Sequence, residues 1–260
     1  MIEIYGIITY QNYREEIVMN ILKKLAERQK NFYTDSAVTI VAFGDSVTQG
    51  CFECYADRND AIHTEFDTKE SYSRKFVQIL QTLYPRCQIN LINSGISGDS
   101  TKKACERIDY DVLRYQPDLV ICCFGLNDVT KGYPELDGYG ARLDEIFKKI
   151  KATGAECIFM TPNMINSYSS RRLKNSEAFI NLSERLAKLQ NEGVMDAYMA
   201  KAKEVARAND VVICDCYAKW KKMAENGVDT TELLANLLNH PIRDLHWLFA
   251  NSLVETVFEN

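Results

Sequence analysis

Four polar clusters in this chain carry side chains able to do nucleophilic chemistry together. Gly44-Asp45-Ser46-Val47-Thr48 ends an apolar run with a serine hydroxyl. Asn93-Ser94-Gly95-Ile96-Ser97-Gly98-Asp99-Ser100-Thr101 ends a second run, and Gly125-Leu126-Asn127-Asp128 a third. Late in the chain stand Asn239-His240-Pro241 and then His246. A serine hydroxyl is a poor nucleophile until a base takes its proton. An imidazole, with its pKa near neutrality, suits that task. Acyl transfer builds negative charge on the former carbonyl oxygen, and fixed N–H donors must face it. An asparagine amide donates without a charge that varies with pH, and a glycine lets a substrate approach the backbone closely. A serine early and a histidine late is a permitted order, because such sites are defined by geometry.

Plainer readings stand beside these. Ser46 reads equally as an N-cap or turn serine, and Asn127 as an Asx turn. The stretch around Gly98 reads as a βα turn with Ser97 or Asp99 capping the next helix. It lacks G-x-G-x-x-G and the P-loop lysine, which argues against a phosphate cradle. Asp45 and Asp128 read as supports of their loops, Asp215 as a cap or site wall, and Thr161-Pro162-Asn163-Met164 as pocket rim. His63 reads as a surface-loop histidine.

The elements that must hold these clusters follow from the hydropathy pattern. Apolar, β-branched-rich runs at Val38–Phe43, Gln88–Ile92, Leu119–Phe124, Glu156–Thr161 and Val211–Asp215 predict buried strands. Their lack of alternation fits a parallel sheet covered on both faces. Helical patterns fall at residues 14–30, Ser71–Leu83, Tyr139–Ile150, Ser176–Ala208 (divided near Asn191-Glu192-Gly193), Glu232–Leu238 and Arg243–Phe258. The alternation predicts a three-layer α/β/α sandwich around a flavodoxin-like five-stranded parallel sheet. Ligands in such sheets bind beyond the carboxyl ends of the strands, where all the polar clusters after strands fall. No repeat, linker or low-complexity run divides the chain, so residues 1–260 read as one domain, with 1–36 a helical extension packed on it.

Taken in order, these blocks resemble the SGNH hydrolase superfamily, the GDSL-type esterases and lipases, from about Thr39 to Val257. Gly44-Asp45-Ser46-Val47 matches the first block, with valine where leucine often stands. Asn93 through Thr101 matches the second, which makes Gly98 its glycine. Gly125 to Asp128 matches G-x-N-D, and His240-Pro241 with His246 matches the histidine block. The resemblance implies a serine esterase. Ser46 would be the nucleophile, His240 the base and then acid, and Ser46 N–H, Gly98 N–H and Asn127 the oxyanion hole. No cofactor and no metal are implied. Short-chain acyl esters, with O-acetyl groups on carbohydrates among them, are the implied substrates. A thioesterase or lysophospholipase on the same scaffold is the alternative enzyme, and a non-catalytic carbohydrate- or nucleotide-binding domain the alternative of another class.

One part of the pattern is missing. The family usually places an aspartate three residues before the histidine, and here that position is Leu237. A backbone carbonyl could hold the ring instead, or Asp229, Glu232 or Asp244 could substitute. His246 as the base, with Asp244 as its partner, has the wrong interval. It also sits in a helical stripe with Phe249, Ala250 and Leu253, which suits packing.

The bulk composition narrows partners. A net charge of −5 and a pI near 5.4 argue against nucleic acid or an anionic membrane as the main partner. A small-molecule ester remains, and the oligomeric state is left open. The beginning of the chain reads as no signal peptide, and no run approaches a membrane span. Nine cysteines, several in apolar runs (Cys122, Cys123, Cys157, Cys214), suit a reducing cytoplasm. Cys51-Phe52-Glu53-Cys54 is a lone CxxC without a well-spaced second pair, Cys214-Asp215-Cys216 being a poor candidate, so a metal or redox role is the weaker reading.

Overall fold

The computed structural model describes residues 19–57, 62–173 and 177–260. Five parallel strands form the central sheet: β1 (Val38–Gly44), β4 (Ile89–Gly95), β5 (Leu119–Cys123), β6 (Glu156–Met160) and β7 (Val212–Cys214). Their spatial order is β4-β1-β5-β6-β7, the doubly wound flavodoxin-like order. Between β1 and β4 lies an antiparallel hairpin, β2 (Cys51–Ala56) and β3 (Ile62–Phe66), which the sequence reading did not expect.

Helices cover both faces, as the unbroken apolar strands require. Every residue of β5 is buried. α1 (Ile21–Lys30), α3 (Tyr72–Leu83) and α9 (His246–Glu259) pack together on one face. α4 (Thr101–Asp111), α5 (Leu136–Ala152), α6 (Glu177–Asn191) and α7 (Val194–Ala208) form the other layer. The short α2 (Ser46–Gln49) follows β1, and α8 (Cys216–Glu225) follows β7. α6 and α7 are separated at Glu192-Gly193, as the sequence suggested, with Gly193 in a left-handed conformation. Of the helix expected over residues 14–30, residues 14–18 lie outside the described residues. Residue 176, the expected start of α6, does so too.

Two expectations are corrected. Glu232–Leu238 is not a helix but a series of turns. Asn236 Oδ1 accepts the N–H groups of Leu238, Asn239 and His240, at 3.1, 2.9 and 2.9 Å. That competes with helical bonding, and Leu237 adopts φ +58°. Pro241 pairs back on Leu234, closing the segment into a tight loop. His63 lies on β3 and not in a loop; it is exposed and its Nε2 is 3.1 Å from Asp57 Oδ2.

The sheet register brings the functional clusters level. Gly44 at the end of β1 pairs with Gly95 of β4 on one side and Cys123 of β5 on the other. The residues that follow these three adjacent strands therefore emerge side by side.

Candidate active site

Ser46 sits at the first position of α2, immediately after β1. Asp45 caps this helix, its Oδ1 accepting from Val47 N at 3.0 Å. Gly44 makes the tight turn sterically possible, because a Cβ there would lie 2.1 Å from Thr48 Oγ1 and 2.6 Å from Cys123 O. The turn is tied to the neighbouring strand ends. Asn93 Nδ2 donates to Thr48 O (2.8 Å), and Ser97 N donates to Gln49 Oε1 (2.7 Å). Thr48 Oγ1 meets Tyr72 Oη at 2.8 Å. Arg107 of α4 bolts the same corner. Its guanidinium donates to Gly44 O (3.0 Å), Ser94 O (2.9 Å) and Asp99 Oδ2 (2.7 Å), and lies 4.6 Å from the centre of the Phe43 ring.

His240 arrives from the loop between α8 and α9. Its Nε2 is 2.8 Å from Ser46 Oγ, and its Nδ1 is 3.0 Å from Phe52 O on β2. A carbonyl only accepts, so Nδ1 carries the proton in the neutral ring. Nε2 is then a lone pair facing the serine hydroxyl. Ser46 and His240 are 2 % and 5 % exposed. Burial pushes the His240 pKa down to about 4, against the raising effect of the Phe52 bond. The ring is therefore neutral at pH 7 and ready to accept a proton from Ser46.

Apart from Ser46 N, the remaining polar groups follow β4 and β5, the strands that flank β1. Ser46 N, at the first position of a helix, has no intrahelical partner. Gly98 lies in the turn after β4 with φ +74°, a conformation that favours glycine, and nothing stands within 4 Å of where a Cβ would be. Among the described residues neither N–H is hydrogen-bonded. Asn127, after β5, is fixed by an Nδ2–H bond to Asp99 O at 2.7 Å, which leaves its other amide hydrogen for a second acceptor. These donors, one hydroxyl and one neutral imidazole can together carry out acyl transfer.

Comparison with known proteins places the chain in a family. The model of the GDSL-like Lipase/Acylhydrolase family matches residues 42–248, most of the chain. The chain belongs to this family. It is a carboxylic ester hydrolase of the SGNH type. An acetylxylan esterase of Geobacillus stearothermophilus is 24% identical over 197 residues, 72% of this chain and 80% of that protein. Its crystal structure superposes with a TM-score of 0.61, covering 85% of this chain and 94% of that one at 23% identity, which speaks to fold. An arylesterase of Vibrio mimicus is 28% identical over 111 residues, 43% of this chain and 54% of that protein. An uncharacterized lipoprotein of Bacillus subtilis is 31% identical over 127 residues, 47% of each chain.

Against the family pattern, the place of the histidine's acid is taken by a backbone carbonyl. The acids that sequence offered as substitutes are engaged elsewhere. Asp229 accepts from Tyr168 Oη (2.7 Å) and Thr231 N (3.1 Å), while Glu232 accepts from Arg172 (2.6 Å) and Ser170 (2.9 Å). Asp244 has no bond to His240. His246 is fully buried against Phe52, Tyr72 and Phe249. Its Nδ1 accepts from Tyr72 N at 3.0 Å, and its Nε2 has no partner among the described residues.

Three supporting residues escaped the sequence reading. Phe52 contributes through its main chain, which leaves no side-chain signature. Asn236 gathers the N–H groups of the His240 loop, and its Nδ2 bonds Asn239 Oδ1 at 2.9 Å. Its four-residue spacing from His240 was the available signal. Arg107 of α4 carries no motif that marks it in the sequence. Asn163, read as pocket rim, has a firmer place: its Nδ2 donates to Asn239 O at 2.9 Å and so braces the histidine loop. Asp215 caps α8 and does not meet the site. Cys54 lies on β2 with Sγ 3.9 Å from His240 Nδ1. Among the described residues, no group of three or more His, Cys, Asp or Glu side chains is arranged to hold a metal ion.

Two buried acids complete the electrostatics. Burial raises the Asp45 pKa to about 7, opposed by the Val47 N–H bond, with further raising from Asp128 and Asp99. Its Oδ2 is buried without a partner among the described residues. Asp128 is also raised by burial, against the lowering effect of its bonds from Thr101, Oγ1 at 2.5 Å and N at 3.1 Å. Both are loop supports, as read from sequence.

Proposed function

We propose that this chain deacetylates carbohydrates, with Ser46 as nucleophile and His240 as the proton carrier of a Ser-His dyad. The observation that carries this reading is the bond of 2.8 Å from Ser46 Oγ to a His240 ring whose far nitrogen is spent on Phe52 O. Ser46 Oγ attacks the acetyl carbonyl while its proton moves to His240 Nε2. The negative charge that forms on the carbonyl oxygen is met by Ser46 N–H, Gly98 N–H and the free amide hydrogen of Asn127. Collapse breaks the bond to the sugar oxygen, which takes the proton from His240 and leaves as an alcohol. Water then attacks the acetyl-serine, giving its proton to His240. Acetate departs, and the proton returns to Ser46.

The carbonyl at Phe52 fixes the reactive tautomer but adds no full negative charge behind the imidazolium. In triad enzymes, losing the acid while the ring turns to the wrong tautomer costs ~10⁴ in turnover. Here the tautomer is retained, so the dyad keeps the larger share of that factor. The acetylxylan esterase relative supports an O-acetyl sugar as substrate.

Acetate release from acetylated xylo-oligosaccharides, beside long-chain nitrophenyl esters and acyl-CoA, tests the substrate class. Preference for the acetylated sugar is expected. Preference for long acyl chains or thioesters replaces this reading with a lysophospholipase or thioesterase. A fluorophosphonate that fails to label folded protein at Ser46 would favour a binding domain. For location we propose the cytoplasm, on the support of nine free cysteines. Because one relative carries the name lipoprotein, cell fractionation decides it: recovery in the membrane fraction refutes the proposal.

A further inference from the structure

Beside Asn127 a cleft of about 590 Å³ opens between the starts of α4 and α5. Ser100, Lys102, Asn127, Asp128, Lys131, Glu135 and Arg142 line it. Its charge runs against that of the molecule, which carries −5 overall. Arg142 is already engaged, by Glu135 at 3.2 Å and by Thr101 Oγ1 at 2.9 Å, with Asp128 4.0 Å away. Lys102 and Lys131 are different. Both side chains are exposed, and neither makes an ion pair with any described residue. Two exposed lysines without an ion-pair partner among the described residues thus line the same cleft as Asn127, the proposed oxyanion donor.

Resting on the reading of this site as an O-acetyl esterase, we propose that the cleft selects esters whose alcohol part is anionic: acetylated sugars bearing a carboxylate, such as uronic acids. An acetyl group is too small to extend from the oxyanion donors along a cleft of this size, so the sugar occupies it. A neutral sugar would leave the two lysines solvated and unused. A carboxylate there gains charge-assisted hydrogen bonds from flexible ammonium donors. Exposed pairs of this kind are individually weak, so the effect is one of preference between substrates. It is screened by salt, since the Debye length shrinks to about 3 Å at 1 M.

The test uses two substrates acetylated at the same hydroxyl, a methyl glucuronoside and the matching methyl glucoside. Wild-type protein is expected to show about five- to tenfold higher kcat/KM on the charged one at low salt. That ratio should fall toward unity in Lys102→Ala/Lys131→Ala and at high salt. Equal kcat/KM on the two, or a preference that ignores both lysines and salt, overturns the inference and leaves the esterase reading intact. Inactivity on both overturns the esterase reading and the inference with it. A second measurement needs no variant. Free glucuronate should inhibit 4-nitrophenyl acetate hydrolysis competitively and more strongly than glucose, and equal inhibition by the two contradicts the proposal.

Discussion

The histidine-bearing loop and the first turn of α9 make a useful pair. Each carries a buried histidine, six residues apart, and burial holds both rings neutral, His240 at about 4 and His246 at about 3. What separates them is the direction of their nitrogens. His240 donates from Nδ1 to a carbonyl, so Nε2 is left as a lone pair on Ser46. His246 accepts at Nδ1 from Tyr72 N, so its proton sits on Nε2, and that nitrogen is sealed in with no partner among the described residues. Burial and pKa do not make a base. The partner at the far nitrogen does, because it chooses which face of the ring can receive a proton.

Replacing each ring is the strongest way to break this contrast. His240→Ala is expected to lower kcat by at least about a thousandfold, as removal of a proton carrier does in serine hydrolases, with a modest change in melting temperature. His246→Ala should keep kcat within about tenfold and lose about 2–4 kcal/mol of stability, from the cavity and the stranded Tyr72 N–H. Paired kinetics and denaturant melts check both. The reverse ranking would reassign the base.

Asn236 sharpens the comparison from the loop side. Its Oδ1 collects three successive N–H groups ending at His240. Asn236→Ala should drop kcat by about ten- to a hundredfold while KM moves little, because a slight misplacement of a reacting group is costly. Asn236→Asp keeps the acceptor and should recover much of kcat. Failure of Asp to exceed Ala would mean that the loop is held by other bonds.

The pH dependence follows with smaller amplitude. His240 must be neutral to accept a proton, so the acidic limb of kcat/KM should lie well below the ordinary histidine value, with activity persisting near about pH 5. Stability has the same sign for both rings. Their folded pKa values lie below 6.5, so the unfolded chain takes up protons first, and stability present above pH 6.5 is lost as pH falls toward 4. Asp45 has the opposite sign. Raised from 3.8 to about 7, it stabilises most at low pH, and that contribution is lost as pH rises through 7. Asp45→Asn should therefore gain stability relative to wild type at about pH 8, by ~1 kcal/mol or more, and gain less at about pH 5. A pH-independent difference would show that the carboxyl is not being forced to ionise in the interior.

Much of this was legible in the residues. The strands read from Val38, Leu119 and Glu156 begin where β1, β5 and β6 begin, because buried parallel strands write unbroken apolar runs. The proposed site residues Ser46, Gly98, Asn127 and His240 stand out in the sequence, since each is a side chain, or a glycine, whose type is set by its place. What was missed has no such trace. Phe52 acts through a carbonyl, and any residue there would supply one. The β2–β3 hairpin hid behind a cysteine spacing that suggested metal. The turns at 232–238 looked helical by their apolar spacing, and only Asn236 and Pro241 opposed that. The absent aspartate at 237 was the one clue that the ring would be held another way.

The central claim is that Ser46 carries the acyl group. Protein mixed with 4-nitrophenyl acetate, quenched in acid within the first turnover and digested for peptide mass spectrometry, tests it directly. An acetyl group confined to the peptide at Ser46, absent from Ser46→Ala and greatly slowed in His240→Ala, is the expected result. Turnover with no acetylated Ser46, or acetylation that ignores His240, would contradict the account.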